Sequence, residues 1–224
     1  MTAATSGRLR RRATSTARAA AILLSAAVTG LLAGGAVRLV HGNRMAPWIL
    51  GRASGLCAYL LLVALVLFGL VLSHPARTRL RRPSTATRIR IHIALALFTL
   101  LATALHVVVL ATDRWAGVGW SGALVPLGAA YRPAPVTLGL IGAWVGLLAG
   151  LSAALAGRLP RRLWWPIHKV AAVSLALIWT HGVLAGSDTP ALLVMYVVTG
   201  AAVIGVAASR YLARTPAERA ELRR

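Results

Sequence analysis

Apolar residues gather in six long runs along the chain: Ala19–Val40, Gly55–Ser73, Ile89–Thr112, Val136–Gly157, Trp164–Gly186 and Pro190–Ser209. A helix needs about 20 mostly apolar residues to cross a bilayer core. Within that core only helices and closed barrels satisfy every backbone polar group. Barrel strands alternate apolar and polar positions, and these runs do not. The pattern predicts an all-α polytopic membrane bundle of six transmembrane helices over 19–209, between a basic N-terminal tail (1–18) and a short C-terminal tail (210–224).

Charge orients the bundle. Nineteen arginines lie in the N-terminus, the second and fourth loops and the C-terminus. Only five, Arg38, Arg44, Arg52, Arg114 and Arg132, fall to the other side. The excess of positive charge marks the cytoplasmic face, so both termini are expected inside. A basic stretch precedes the first run, as in a secretory signal. That run is long for a signal, however, and no clear Ala-x-Ala site ends it.

Composition agrees with this picture. The 224 residues are 58% hydrophobic, well above a soluble domain. In a soluble protein the net charge of +21 would point to nucleic acid; here the basic residues follow the topology, and no nucleic-acid partner is expected. Lys169 is the single lysine among 25 basic residues, a bias that suggests a GC-rich bacterial genome, and with the apolar runs a bacterial plasma membrane protein is expected. Cys57 is the only cysteine and lies in an apolar run, which predicts a small buried hydrophobe. Neither a disulfide framework nor a zinc cluster can be built from it.

Four of the six histidines lie inside apolar runs: His92 and His106 in the third, His168 and His181 in the fifth. Ionisable groups inside a membrane are costly and mark function by default. His41 and His74 sit at run ends and read as interfacial residues. The separation of His92 and His106 is 14 residues, about 21 Å along a helix, and 14 steps of about 100° return close to the same face. His168 and His181 are 13 apart, about 20 Å, which leaves them about 140° apart around an ideal helix. The third and fifth spans run parallel, so His92 is expected at the depth of His168, near the cytoplasm, and His106 at the depth of His181. A haem iron takes axial ligands from opposite sides, and neutral imidazole supplies them. The spacing therefore predicts two haems, bound by His92 with His168 and by His106 with His181. No Cys-x-x-Cys-His is present, so attachment would be non-covalent and the haems of b type.

These histidines resemble those of the ferric reductase-like transmembrane domain, shared by ferric reductases, NADPH oxidases and the haem subunit of bacterial methionine sulfoxide reductase systems. The likeness covers roughly Trp48 to Tyr211. It extends to Arg52-Ala53-Ser54-Gly55, Val125-Pro126, Tyr131-Arg132-Pro133, Trp164-Trp165-Pro166-Ile167-His168 and His181-Gly182-Val183-Leu184-Ala185-Gly186-Ser187-Asp188-Thr189. The family's spacings of 14 and 13 both occur here. The resemblance implies the membrane subunit of an oxidoreductase. Electrons would pass from a cytoplasmic flavin-containing donor through the inner and then the outer haem to an external acceptor such as ferric chelate, oxygen, quinone or a redox protein. Many relatives continue into flavin- and nicotinamide-binding domains. No such domain is expected here, because the last run is followed by only 15 residues and no Gly-x-Gly-x-x-Gly fingerprint occurs in a soluble βαβ context.

Other residues follow from this frame. Gly142-x3-Gly146-x3-Gly150, with Gly139, forms a small-residue stripe suited to close helix packing. Arg88, Arg90, Arg161 and Arg162 near the inner depth, and Arg114 and Arg132 near the outer, are candidate partners for haem carboxylates. Trp115, Trp120, Trp164 and Trp165 read as interfacial anchors, and Tyr131 as a cover for the outer haem edge. The inner basic surface suits an acidic partner or anionic lipid. The alternative reading is a proton or metal-ion transporter using the same histidines. Cation transporters usually need buried carboxylates, however, and Asp113, Asp188, Glu218 and Glu221 all lie outside the runs.

Overall fold

The computed structural model describes residues 45–76 and 83–213. The expected first span Ala19–Val40, His41, the 1–18 tail, Glu218 and Glu221 lie outside the described residues. The described secondary structure is helical without strands: α1 (Ala46–Ser73), α2 (Thr85–Thr112), α3 (Gly119–Leu124), α4 (Pro133–Ala154), α5 (Arg161–Lys169), α6 (Ala171–Ala185) and α7 (Thr189–Leu212). Five segments are long and apolar enough to cross a membrane: α1, α2, α4, α5 with α6, and α7. From Pro47 onward they belong to one unit. Their surface is what lipid requires. Leu97, Phe98, Leu101, Val194 and Ile204 are all exposed, a distribution that water would penalise.

The helix starts follow local chemistry. The Ser84 hydroxyl accepts the Thr87 N–H at 3.2 Å and caps α2. Prolines occupy the first turn of α4 and α7, where a missing N–H leaves no bond unmade. Two starts differ from the sequence expectation. α1 begins at Ala46 and takes in Arg52, which the apolar pattern placed in a loop; α2 begins at Thr85 and takes in Arg88, which precedes the predicted run. A charged residue ends an apolar run without ending a helix, because long side chains at a span's end can reach the interface.

The fifth span is broken. Pro166 lies within α5 and cannot donate to the carbonyl four residues before it. Val170 separates α5 from α6, and its N–H bonds back three residues to the Ile167 carbonyl at 3.1 Å. Such a tightened turn adds rotation per residue. It lies between His168 and His181, where 13 ideal helical residues would leave the two on different faces.

Packing centres on α1, α6 and α7, where Tyr59, Leu62, Val63, Leu175 and Tyr196 are buried together. The Tyr59 hydroxyl is hydrogen-bonded to the Thr199 hydroxyl. The Trp179 indole N–H donates to the Tyr196 carbonyl at 3.1 Å. α4 packs closely on α6 through the expected glycines. A Cβ at Gly142 would stand 2.9 Å from Ile178 and one at Gly146 2.8 Å from the Ser174 hydroxyl. That hydroxyl donates to the Gly142 carbonyl at 2.7 Å. Gly150, by contrast, faces open space. Cys57 lies exposed on α1 rather than buried. Lipid is as apolar as a protein core, so an apolar run does not reveal which of its faces is covered.

Candidate cofactor-binding site

Two arrangements, α1 with α2 and α4 with the broken span α5/α6, bring the four intramembrane histidines together in two facing pairs: His92 and His106 lie on α2, His168 on α5 and His181 on α6. The ring centres of His92 and His168 are 6.2 Å apart with planes crossed at 80°. Those of His106 and His181 are 6.4 Å apart and crossed at 74°. Metal–imidazole bonds are about 2 Å long and each nitrogen lies about 1 Å from its ring centre, so one metal between two imidazoles places the centres about 6 Å apart. Both pairs have that separation.

Three of the rings are held by backbone carbonyls. His106 Nδ1 donates to the Gly51 carbonyl at 2.7 Å, His181 Nδ1 to Pro135 at 2.8 Å and His168 Nδ1 to Ala149 at 3.2 Å. A carbonyl only accepts, so the proton sits on Nδ1 and the Nε2 lone pair stays free. Histidine ligands to metals are commonly held in this way by their other nitrogen. Glycines make room for the rings. A Cβ at Gly55 would meet His106 at 2.7 Å, one at Gly139 would meet His181 at 2.7 Å and one at Gly69 would meet His92 at 3.2 Å. Gly139, singled out as packing, therefore also seats a candidate ligand.

Both pairs open into one cavity of about 1370 Å³, larger than the ~300–1,000 Å³ of an ordinary small-ligand pocket. Among the described residues, no group of three or more His, Cys, Asp or Glu side chains could enclose a metal ion. Two imidazoles per metal suit a cofactor whose own macrocycle supplies the equatorial ligands, which is how haem is held.

The charged residues at the cavity differ from those the sequence singled out. The lining includes Arg161, Lys169 and Arg210 toward the His92/His168 end and Arg52 with Asp188 toward the other. Of the six arginines proposed for carboxylates only Arg161 is among the lining residues. Arg88 Nε donates to the Pro83 carbonyl at 2.8 Å. Arg132 donates to the Leu184 carbonyl, and Tyr131, which does line the cavity, donates to the Ala185 carbonyl at 2.9 Å. Together Tyr131 and Arg132 cap the open end of α6.

Arg52 stacks over Trp48 at 3.8 Å and pairs with Asp188. This contact joins residues 136 positions apart, and no local signal announced it. Trp164 and Trp165 do more than anchor the chain: their ring centres lie 6.1 and 6.2 Å from that of His168. His74 stands apart from both pairs, accepting the Ala76 N–H at 3.0 Å and meeting the Ser209 hydroxyl at 3.2 Å. Comparison with family models, curated proteins and solved structures finds no match for the chain.

Proposed function

We propose that this chain is the haem-carrying membrane component of an electron-transfer oxidoreductase, similar to the ferric reductase-like transmembrane domain. The observation that carries the proposal is the pair of facing imidazole couples at 6.2 and 6.4 Å. His92 and His168 hold one b-type haem near the cytoplasm, and His106 and His181 hold the second near the outer face. Haem, when bound, would supply one-electron chemistry at two depths, because His92 and His106, which would hold it, are separated along α2 by about 21 Å. The carbonyls of Gly51, Pro135 and Ala149 aim the imidazoles and fix the tautomer that leaves Nε2 free. Arg161, Lys169 and Arg210 at the inner mouth offer cations to carboxylates.

The topology that goes with this reading has Ala19–Val40 as a sixth span, both termini in the cytoplasm and the chain in a bacterial plasma membrane. A cytoplasmic flavin-containing protein then delivers electrons at the arginine-rich face, and an external acceptor collects them. Cation transport is the weaker reading. The acidic side chains among the described residues, Asp113 and Asp188, sit at helix ends and not between the histidines.

The test is haem quantitation on purified protein. A pyridine haemochrome ratio near two haems per chain, with a b-type reduced-minus-oxidised spectrum, is expected. Protein that takes up no haem on expression with haem precursors or on reconstitution would remove the proposal.

A further inference from the structure

The way the histidines are held repeats within the chain. His106 on α2 leans on α1, where Gly51 provides the carbonyl and Gly55 the space. His181 on α6 leans on α4, where Pro135 provides the carbonyl and Gly139 the space. In both cases the glycine lies four residues after the carbonyl. Helix geometry explains the step. The carbonyl of one residue points toward the residue four further on, whose side chain leans back over it. Without a side chain there, the second lone pair of that oxygen is open to an outside donor. Ala149 is followed four residues later by Ala153, and its bond to His168 is the longest of the three, 3.2 Å.

His92 breaks the pattern: its Nδ1 is buried with no hydrogen-bond partner among the described residues. The register of α1 supplies one. His92 precedes His106 by 14 residues on α2, and α1 runs the opposite way. The matching carbonyl should follow Gly51 by 14 positions, which is Leu65, and four residues beyond Leu65 stands Gly69. The same step of 14 separates Pro135 from Ala149 on α4. The His92 ring already rests over Gly69, where a Cβ would lie 3.2 Å from Cε1 and 3.9 Å from Nδ1. Leu65 and Gly69 both line the cavity.

We infer that the Leu65 carbonyl is the acceptor for the His92 Nδ1–H, that Gly69 is the residue that admits it, and that the way the histidines are held is one arrangement used twice, as α1 with α2 and as α4 with the broken span α5/α6. Gly69 is a positioning residue: it touches no substrate and acts through the orientation of His92. The bond itself does not depend on haem. Its consequence, an Nε2 aimed at His168 to ligate iron, rests on the proposed function.

The decisive measurement is ¹⁵N NMR of full-length protein labelled at histidine, in the reduced diamagnetic state. A Nδ1–H resonance assigned to His92 with the downfield shift of a carbonyl-bonded imidazole is expected, alongside those of the other three. A His92 resonance at the value of a free imidazole overturns the inference. Gly69→Ala tests the consequence. It should weaken retention of one haem by about 10- to 100-fold, the usual effect of losing a partner behind a metal-bound histidine, and leave the other haem's spectrum unchanged. Gly205→Ala, where a Cβ meets nothing within 4 Å, should change neither. Equal retention of both haems in the Gly69→Ala protein overturns the role given to Gly69. Wild-type protein without haem would sink the haem reading instead, and the His92 resonance would still decide for or against the Leu65 bond.

Discussion

Adding a single methyl group at Gly55 or Gly139 should cost the protein one haem and leave its fold intact. At Gly55 the new Cβ would stand 2.7 Å from both Cε1 and Nδ1 of His106. Carbon contacts relax to about 3.5–4.0 Å, so ring and helix must part by about 1 Å. The Nδ1 bond to the Gly51 carbonyl, 2.7 Å at present, would then stretch past the ~3.2 Å limit of a good N–H···O bond. Losing such a partner lowers metal affinity by about 10- to 100-fold, about 1.4–2.8 kcal/mol. Acting the other way, alanine is favoured over glycine inside a helix by about 1 kcal/mol, so the apoprotein should be no less stable. Gly139→Ala meets the same geometry at His181, again 2.7 Å. Haem-to-protein ratios across a titration of supplied haem should fall from two toward one in either variant. The bis-imidazole electron paramagnetic resonance signal of one site should vanish while circular dichroism stays unchanged. Because both changes strike the same haem, the double variant should lose little more than either single one. Two haems with both resonance signals unaltered in Gly55→Ala would refute the argument that this glycine seats a ligand.

Three further outcomes follow from the arrangement. His106→Leu or His181→Leu should leave a haem that the cytoplasmic donor still reduces but that passes nothing outward, whereas His92→Leu or His168→Leu should abolish rapid reduction; fast reduction in both classes contradicts a serial inside-to-outside order. A reporter inserted near Ser84 or fused after Arg224 should read cytoplasmic and one near Gly117 external, and the opposite result for the C-terminus would break the proposed orientation. Gly142→Leu, which drives a side chain into Ile178 where even a Cβ comes within 2.9 Å, should destabilise the α4–α6 pair by about 1–3 kcal/mol, read as a lower thermal midpoint in detergent; Gly150→Leu, facing open space, should leave α4–α6 packing unaffected, and equal loss in both would show that α4 does not pack as described.

What could be read from the sequence alone was whatever the bilayer imposes residue by residue. Helical spans were legible at Gly55–Ser73, Ile89–Thr112, Val136–Gly157, Trp164–Gly186 and Pro190–Ser209, because a hydrocarbon core demands both length and apolarity. The four candidate histidines stood out because ionisable rings inside such runs are costly and mark function by default. Their spacing also foretold the facing partners, since rise per residue converts sequence separation into depth. Tertiary structure decided the rest. Cys57 turned outward because lipid and protein interior are equally apolar, so a run does not name its buried face. The break at Val170 depends on Pro166 and one shifted backbone bond, and the 13-residue spacing alone did not decide between such a tightening and two sites on different faces of a regular helix. Arg52 meets Asp188, and Gly51 and Gly55 meet His106, only because helices far apart in sequence settle in one register. Register between helices is set by where glycines let backbones approach, and that is a property of two surfaces together.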